Sequence, residues 1–246
     1  MKEQPSSRPH LHSKLLNRED YPMTTLKNPW TSFEISSSMV HDLDREAFDL
    51  HNSRVTKDFQ FLDHLAPEPW IGNKSANLLV LLANPGATRG DVARKKQKGA
   101  DRINELSIQN LRGEIKDYPH FFFNPELEGT DGHTWYAKRF SHLIKETSAE
   151  NLAHKVLSCE LAPYHSFSWK RPRKTPPTQS FTYQLVEAAM QRDAVILIGR
   201  GKAEWFKNVP GLEKYKRYFQ PSSSQCSYLS PNNYGRNYKN ILEAIN

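Results

Sequence analysis

Residues 77–91 read NLLVLLANPGATRGD. The apolar run Leu78–Ala83 has no polar alternation, the mark of a strand covered on both faces, as in a parallel α/β sheet. It ends on Asn84, Pro85 and Gly86, with Asp91 a few residues on. Asn-Pro-Gly taken alone is a turn, because the Asn side chain bonds its own neighbouring backbone. In a parallel sheet the same position is where ligands gather, beyond the carboxyl end of a strand. Asn84 is therefore either a turn residue or a substrate-facing amide, and Asp91 either a helix N-cap or an acid for chemistry.

Three further apolar runs follow: KVLSCEL (155–161), AVILIG (194–199) and KYKRYFQ (214–220). Helices are expected between and around them: 42–65, with Leu43, Phe48, Leu50, Val55, Phe59 and Leu62 at helical intervals; 134–146; a segment capped by Thr178; a short piece over 203–207; and the C-terminus. Strands alternating with helices predict an α/β three-layer sandwich, a short four-stranded parallel sheet flanked by helices. Residues 1–30 are polar and rich in Ser, Pro and Arg, so they read as a flexible arm ahead of one domain over 31–246. APEPWIGNKS (66–75) reads only as a break leading to the first strand.

The chain has 246 residues, 34 Lys and Arg against 27 Asp and Glu, and two cysteines. The +7 charge favours an anionic partner such as DNA. Cys159 and Cys226 are too few for a four-cysteine zinc site or a disulfide framework. No apolar run approaches the roughly 20 residues of a membrane span, and no secretory signal is visible. A soluble cytoplasmic protein is expected. The histidines form no H-E-x-x-H pattern, and neither G-x-S-x-G nor a phosphate-binding G-x-x-x-x-G-K-[ST] occurs. GRGKAE follows the third strand and carries Glu204 where a dinucleotide fingerprint needs Gly or Ala, so that motif is rejected.

The strand ends then carry Asn84-Pro85-Gly86; Glu160 followed by APYHS; Gly199-Arg200-Gly201-Lys202; and Gln220-Pro221-Ser222-Ser223-Ser224. This ordered set, ANPG, LAPYHS, AVILIGRGKAEW and QPSSSQC, resembles the uracil-DNA glycosylase superfamily over about 65–246. The nearest branches are the mismatch-specific uracil and thymine glycosylases and a bacterial group of uracil-DNA glycosylase-like proteins. The resemblance implies a monofunctional DNA glycosylase, monomeric and needing neither cofactor nor metal, with the bacterial cytoplasm as its setting. It would excise a deaminated, mismatched or modified pyrimidine in base-excision repair or in antiviral defence. It places Asn84 at the attacking water, with Asp91 in reserve, and Pro85 and Gly86 beside the base. Ser222 and Ser223 would hold DNA phosphates.

Three departures from the pattern stand out. Gln220 replaces a base-contacting His, and Ser224 replaces a duplex-wedging Leu, leaving Tyr228 or Leu229 for that task. Glu160 replaces the base-reading Asn, with Cys159 one residue away in register. An ionised Glu160 only accepts hydrogen bonds, so it should repel uracil O4 and welcome the amino group of a cytosine, including the modified cytosines of some phage genomes. Phe122, within PHFFFNPE, is a stacking face for the flipped base, the other two phenylalanines being core. His165 and the backbone N–H groups of 84–87 are candidate donors to the leaving base. The runs ARKKQKG (93–99) and WKRPRKTPP (169–177), with Lys170, Arg171, Arg173 and Lys174, are candidate DNA contacts, joined by Arg200 and Lys202. Two other readings stay open: a DNA-binding module that has lost its chemistry, and a nucleoside or nucleotide N-glycosidase.

Overall fold

A computed structural model of the protein describes residues 27–88, 100–223 and 228–246. The chain is α/β, with a five-stranded mixed sheet in the order β1-β3-β2-β4-β5. The strands are β1 (Trp70–Gly72), β2 (Leu78–Leu81), β3 (Val156–Cys159), β4 (Val195–Ile198) and β5 (Tyr218–Phe219). β2, β3, β4 and β5 run parallel, as expected, whereas β1 pairs antiparallel with β3, Trp70 opposite Cys159. The sheet is thus five-stranded and mixed, where a four-stranded parallel one was expected. The three residues of β1, all buried, show no alternation by which to recognise a strand.

The side chains of β2 explain its unbroken apolar run. Leu78, Val80 and Leu82 face one core, and Leu79 and Leu81 face the other. The helices are α1 (Arg45–Asn52), α2 (Ala100–Arg112), α3 (Asp131–Arg139), α4 (Ser141–Glu146), α5 (Ala149–Lys155), α6 (Gln179–Gln191), α7 (Lys202–Asn208), α8 (Pro231–Tyr234) and α9 (Tyr238–Ile245). Residues from α3, α4, α5 and α9 fill the first core, while residues from α6 and α7 fill the second. No helix among the described residues is long and apolar enough to cross a membrane.

Several boundaries differ from expectation. The helix expected over 42–65 is the eight-residue α1, followed by a 3-10 turn at Lys57–Phe59. The helix expected over 134–146 begins at Asp131 and breaks at Phe140 into α3 and α4. The run 214–220 yields only a two-residue strand. The packed domain reaches back into the span read as an arm. Trp30 is fully buried, and the Asn28 side-chain amide donates to Leu111 O at 2.6 Å.

Thr178 precedes α6 without capping it. Its hydroxyl and backbone N–H instead donate to the buried Asp44 carboxylate, at 2.6 and 3.0 Å. The Tyr164 hydroxyl donates to the same carboxylate at 2.7 Å. Asp44 thereby ties both ends of the 164–178 loop to the body of the domain. Desolvation raises its pKa, and the hydrogen bonds from Thr178 and Tyr164 oppose that rise.

Candidate functional site

The parallel order brings the carboxyl ends of β3, β2 and β4 side by side. Beyond them opens a cavity of about 650 Å³. Its walls include Asn84, Pro85, Gly86, Phe122, Glu160, His165 and Arg200, all singled out from the sequence.

The loop after β2 is zipped to the loop after β3. Ala162 N–H donates to Ala83 O at 3.1 Å, and Ala87 N–H to Ser166 O at 3.0 Å. Gly86 and Ser166 form a parallel bridge. Asn84 sits between the two loops. Its Nδ2 donates to Ser166 Oγ at 2.8 Å and to Pro85 O at 3.0 Å. Both amide hydrogens are thus directed into the protein. Oδ1 makes no hydrogen bond among the described residues and remains as an acceptor.

Glu160 continues β3. Alternation along the strand settles its register: Leu157 and Cys159 pack in the second core, while Ser158 and Glu160 face the other way. Burial pushes the Cys159 thiol up, and nothing places it at the cavity. Glu160 is 6% exposed, and its Oε2 has no hydrogen-bond partner among the described residues. Its backbone is held at both ends, N–H to Pro69 O at 2.9 Å and O from Gln179 Nε2 at 2.7 Å. Burial raises the Glu160 pKa well above the usual carboxylate range. The Glu68 carboxyl adds to the rise, and Arg200 opposes it. Burial and the Glu68 carboxyl both favour the protonated form of Glu160, whereas the expectation from the sequence took it as an ionised acceptor.

Of the three adjacent phenylalanines, Phe121 and Phe123 belong wholly to the core, and Phe122 also lines the cavity. Phe122 stacks on Tyr136, with ring centroids 5.4 Å apart and planes 18° apart. Gly132 lies against the Phe122 ring; a Cβ there would come within 2.2 Å of Cε1. The helix can therefore approach the aromatic wall only with glycine at this position.

Other assignments are revised. His165 Nδ1 lies 2.9 Å from Gly86 O and Nε2 lies 3.1 Å from Ala66 O, so the ring braces the cavity wall instead of facing a leaving group. The N–H of Ala87 is likewise committed to Ser166. Gln220 is exposed and away from the cavity, because β5 is the edge strand two places from β2. Ser222 bonds Asn233 through both N–H and hydroxyl; Ser222 and Ser223 are exposed outside the cavity. Leu229 is buried in the first core and cannot wedge into DNA, while Tyr228 is half-buried. Asp91, the run 93–99, Ser224 and Cys226 lie outside the described residues.

The second basic run begins at the cavity rim, since Ser168 and Trp169 line the opening. Lys170, Arg171 and Arg173 are exposed. Lys170 lies over the Phe59 ring, Arg171 pairs with Glu204, and Lys174 pairs with Glu46. Arg200 reaches the cavity, whereas Lys202 is exposed near the Phe206 ring.

Sequence reasoning missed Glu68, Asp131, Tyr136 and Ser166. Glu68 is 5% exposed and accepts from Ser107 Oγ at 2.9 Å; its Oε2 lies 3.8 Å from His165 Nε2. Asp131 begins α3 and accepts from Thr88 Oγ1, closing the rim over the loop after β2. Tyr136 hydrogen-bonds Ser158, whose hydroxyl lies 3.1 Å from His120 Nε2. Comparison with protein-family models, with curated proteins and with solved structures gives no match.

Proposed function

We propose that this protein is a monofunctional DNA glycosylase of the uracil-DNA glycosylase type. It turns a non-canonical pyrimidine out of DNA and hydrolyses its N-glycosidic bond, leaving an abasic site. The observation that carries the reading is Asn84. Its amide nitrogen is tied down, and its acceptor oxygen stands beside a cavity with an aromatic wall and a buried acid. A water donating to Oδ1 keeps a lone pair for the sugar C1′. Extrusion costs a few kcal/mol of lost stacking, offset by burial against Phe122. The cavity is of the size that holds drug-sized ligands and exceeds one pyrimidine ring, which favours a base carrying a substituent. The rim at Trp169–Lys174 supplies positive charge for the phosphates on either side.

The decisive experiment is base release from DNAs carrying uracil, G·T and G·U mismatches and modified cytosines, with wild type and Asn84→Ala side by side. Release of one base, reduced about 10²-fold or more in the variant, supports the reading. No release, with salt-sensitive DNA binding intact, replaces it with a binding module, the reading that the remote Gln220 favours. Equal activity on free nucleosides, insensitive to salt, replaces it with a nucleoside N-glycosidase. Repair and defence against foreign DNA both fit the chemistry.

A further inference from the structure

The glycosylase reading sets Glu160 at the base but gives it no step in the reaction, yet this side chain is a buried, unpartnered polar group of the cavity. It is 6% exposed, fixed by backbone bonds to Pro69 and Gln179, and its Oε2 has no partner among the described residues. The Glu68 carboxyl, the Tyr136 phenol, the His165 ring and the Arg200 guanidinium line the same cavity; Cys159 points to the opposite face of the sheet. Two carboxyls sharing one low-dielectric cavity do not both ionise cheaply. Glu68 already accepts from Ser107 and lies near His165, so the proton belongs on Glu160.

A protonated carboxyl offers one donor and one acceptor side by side. That pair matches the N3 and N4 edge of a 4-aminopyrimidine: the O–H points at N3, and the carbonyl oxygen accepts from the exocyclic amine. A 4-oxopyrimidine can also be held, donating from N3–H and accepting at O4. Its O4 is too weakly basic to take the proton, however, and an amide side chain would serve it equally well. To a leaving 4-oxo base the acid offers a hydrogen bond at O4, whereas to a 4-amino base it can give up its proton at N3.

Resting on the glycosylase reading, we propose that Glu160 is the general acid for the departing base, and that this base is a 4-aminopyrimidine of the cytosine class. As the C1′–N1 bond breaks, its electron pair stays on N1 and the Glu160 proton moves to N3. The base leaves as a neutral tautomer instead of an anion. Water beside Asn84 forms the new C1′–O bond and releases a proton to solvent, and Glu160 recovers a proton from solvent. The net reaction is hydrolysis, with atoms and charge in balance. Ordinary cytosine is discriminated in the rest of the cavity, where the Thr88–Asp131 rim and the Phe122 wall surround the space for a ring substituent.

The test is single-turnover base release from oligonucleotides carrying cytosine, 5-methylcytosine, 5-hydroxymethylcytosine and its glucosylated form, each beside its 4-oxo counterpart. Wild type is compared with Glu160→Gln, which keeps a donor and an acceptor but has no proton to give. Glu160→Gln should bind the 4-amino substrate within about threefold of wild type and release its base about 10²–10³-fold more slowly. The wild-type rate should fall as pH rises through the Glu160 titration, and the variant should lack that limb. Equal rates for the two proteins on the 4-amino substrate overturn the inference. So does wild-type release of 4-oxo bases alone, which leaves the glycosylase reading standing. Failure of wild type to release any base overturns both.

Discussion

The Asn84 amide nitrogen donates to Ser166 Oγ at 2.8 Å, and the Ser166 hydroxyl donates onward to Ser168 O at 2.8 Å. The direction of this relay decides which end of the Asn84 amide meets a ligand. With Ser166 1% exposed, the relay is shielded from competing water. Ser166→Ala removes one anchor of Nδ2 and lets the amide rotate. On the proposed function, base release should slow by about tenfold or more in kcat with KM little changed, because Ser166 acts by orienting Asn84.

Asp44 accepts three hydrogen bonds from the two ends of the loop that carries His165, Ser166 and the basic run. Asp44→Ala leaves the Tyr164 hydroxyl and both Thr178 donors unpaired in a buried place, at about 1–3 kcal/mol each. Urea unfolding should show a loss of about 3 kcal/mol or more, with proteolytic cleavage appearing between 164 and 178. A loss under 1 kcal/mol would show that the loop holds without the clamp.

His120 is fully buried, and desolvation lowers its pKa from 6.5 to about 3. The unfolded chain takes up that proton near 6.5, so the folded state loses ground as pH falls between the two values. The slope is about 1.4 kcal/mol per pH unit. Its contribution is fully present above pH 6.5. Replacing His120 by Phe, which carries no proton, should flatten the acid side of the stability curve; an unchanged curve would place the sensitivity elsewhere.

Glu160 acts with the opposite sign. Its folded pKa is raised above the ordinary 4.5 by burial, so the unfolded state sheds the proton first. The Glu160 contribution to stability is then fully present below 4.5 and is lost as pH climbs from there toward the folded value. Glu160→Gln should therefore raise Tm at pH 8 and leave it unchanged near pH 4. A lower Tm at pH 8 would mean that the ionised side chain is stabilised in the fold.

DNA binding, on the proposed function, draws on the exposed Lys170 and Arg173. The double substitution to Ala should reduce the slope of log K against log salt by about 2 for duplex contacts. Arg171 and Lys174 already have acidic partners, Glu204 and Glu46, and should matter less singly. An unchanged slope would remove this rim from the DNA path.

Much of the central sheet was legible from the residues alone. A run that is apolar at every position, such as Leu78–Leu82, must be covered on both faces, and several such runs separated by helical patterns imply a parallel sheet. The turn chemistry of Asn-Pro-Gly and the acid at the end of β3 likewise pointed to the cavity before any coordinate. Periodicity names the face a side chain takes, but not the neighbour it meets. Strand order alone put β5 at the edge and moved Gln220 away from Asn84. Long-range packing brought Ser166 to Asn84, and Glu68 into the cavity of Glu160. Burial is also what raises the Glu160 pKa. The cost of removing charge from water depends on everything that surrounds a group, and most of those surroundings lie far from it along the chain.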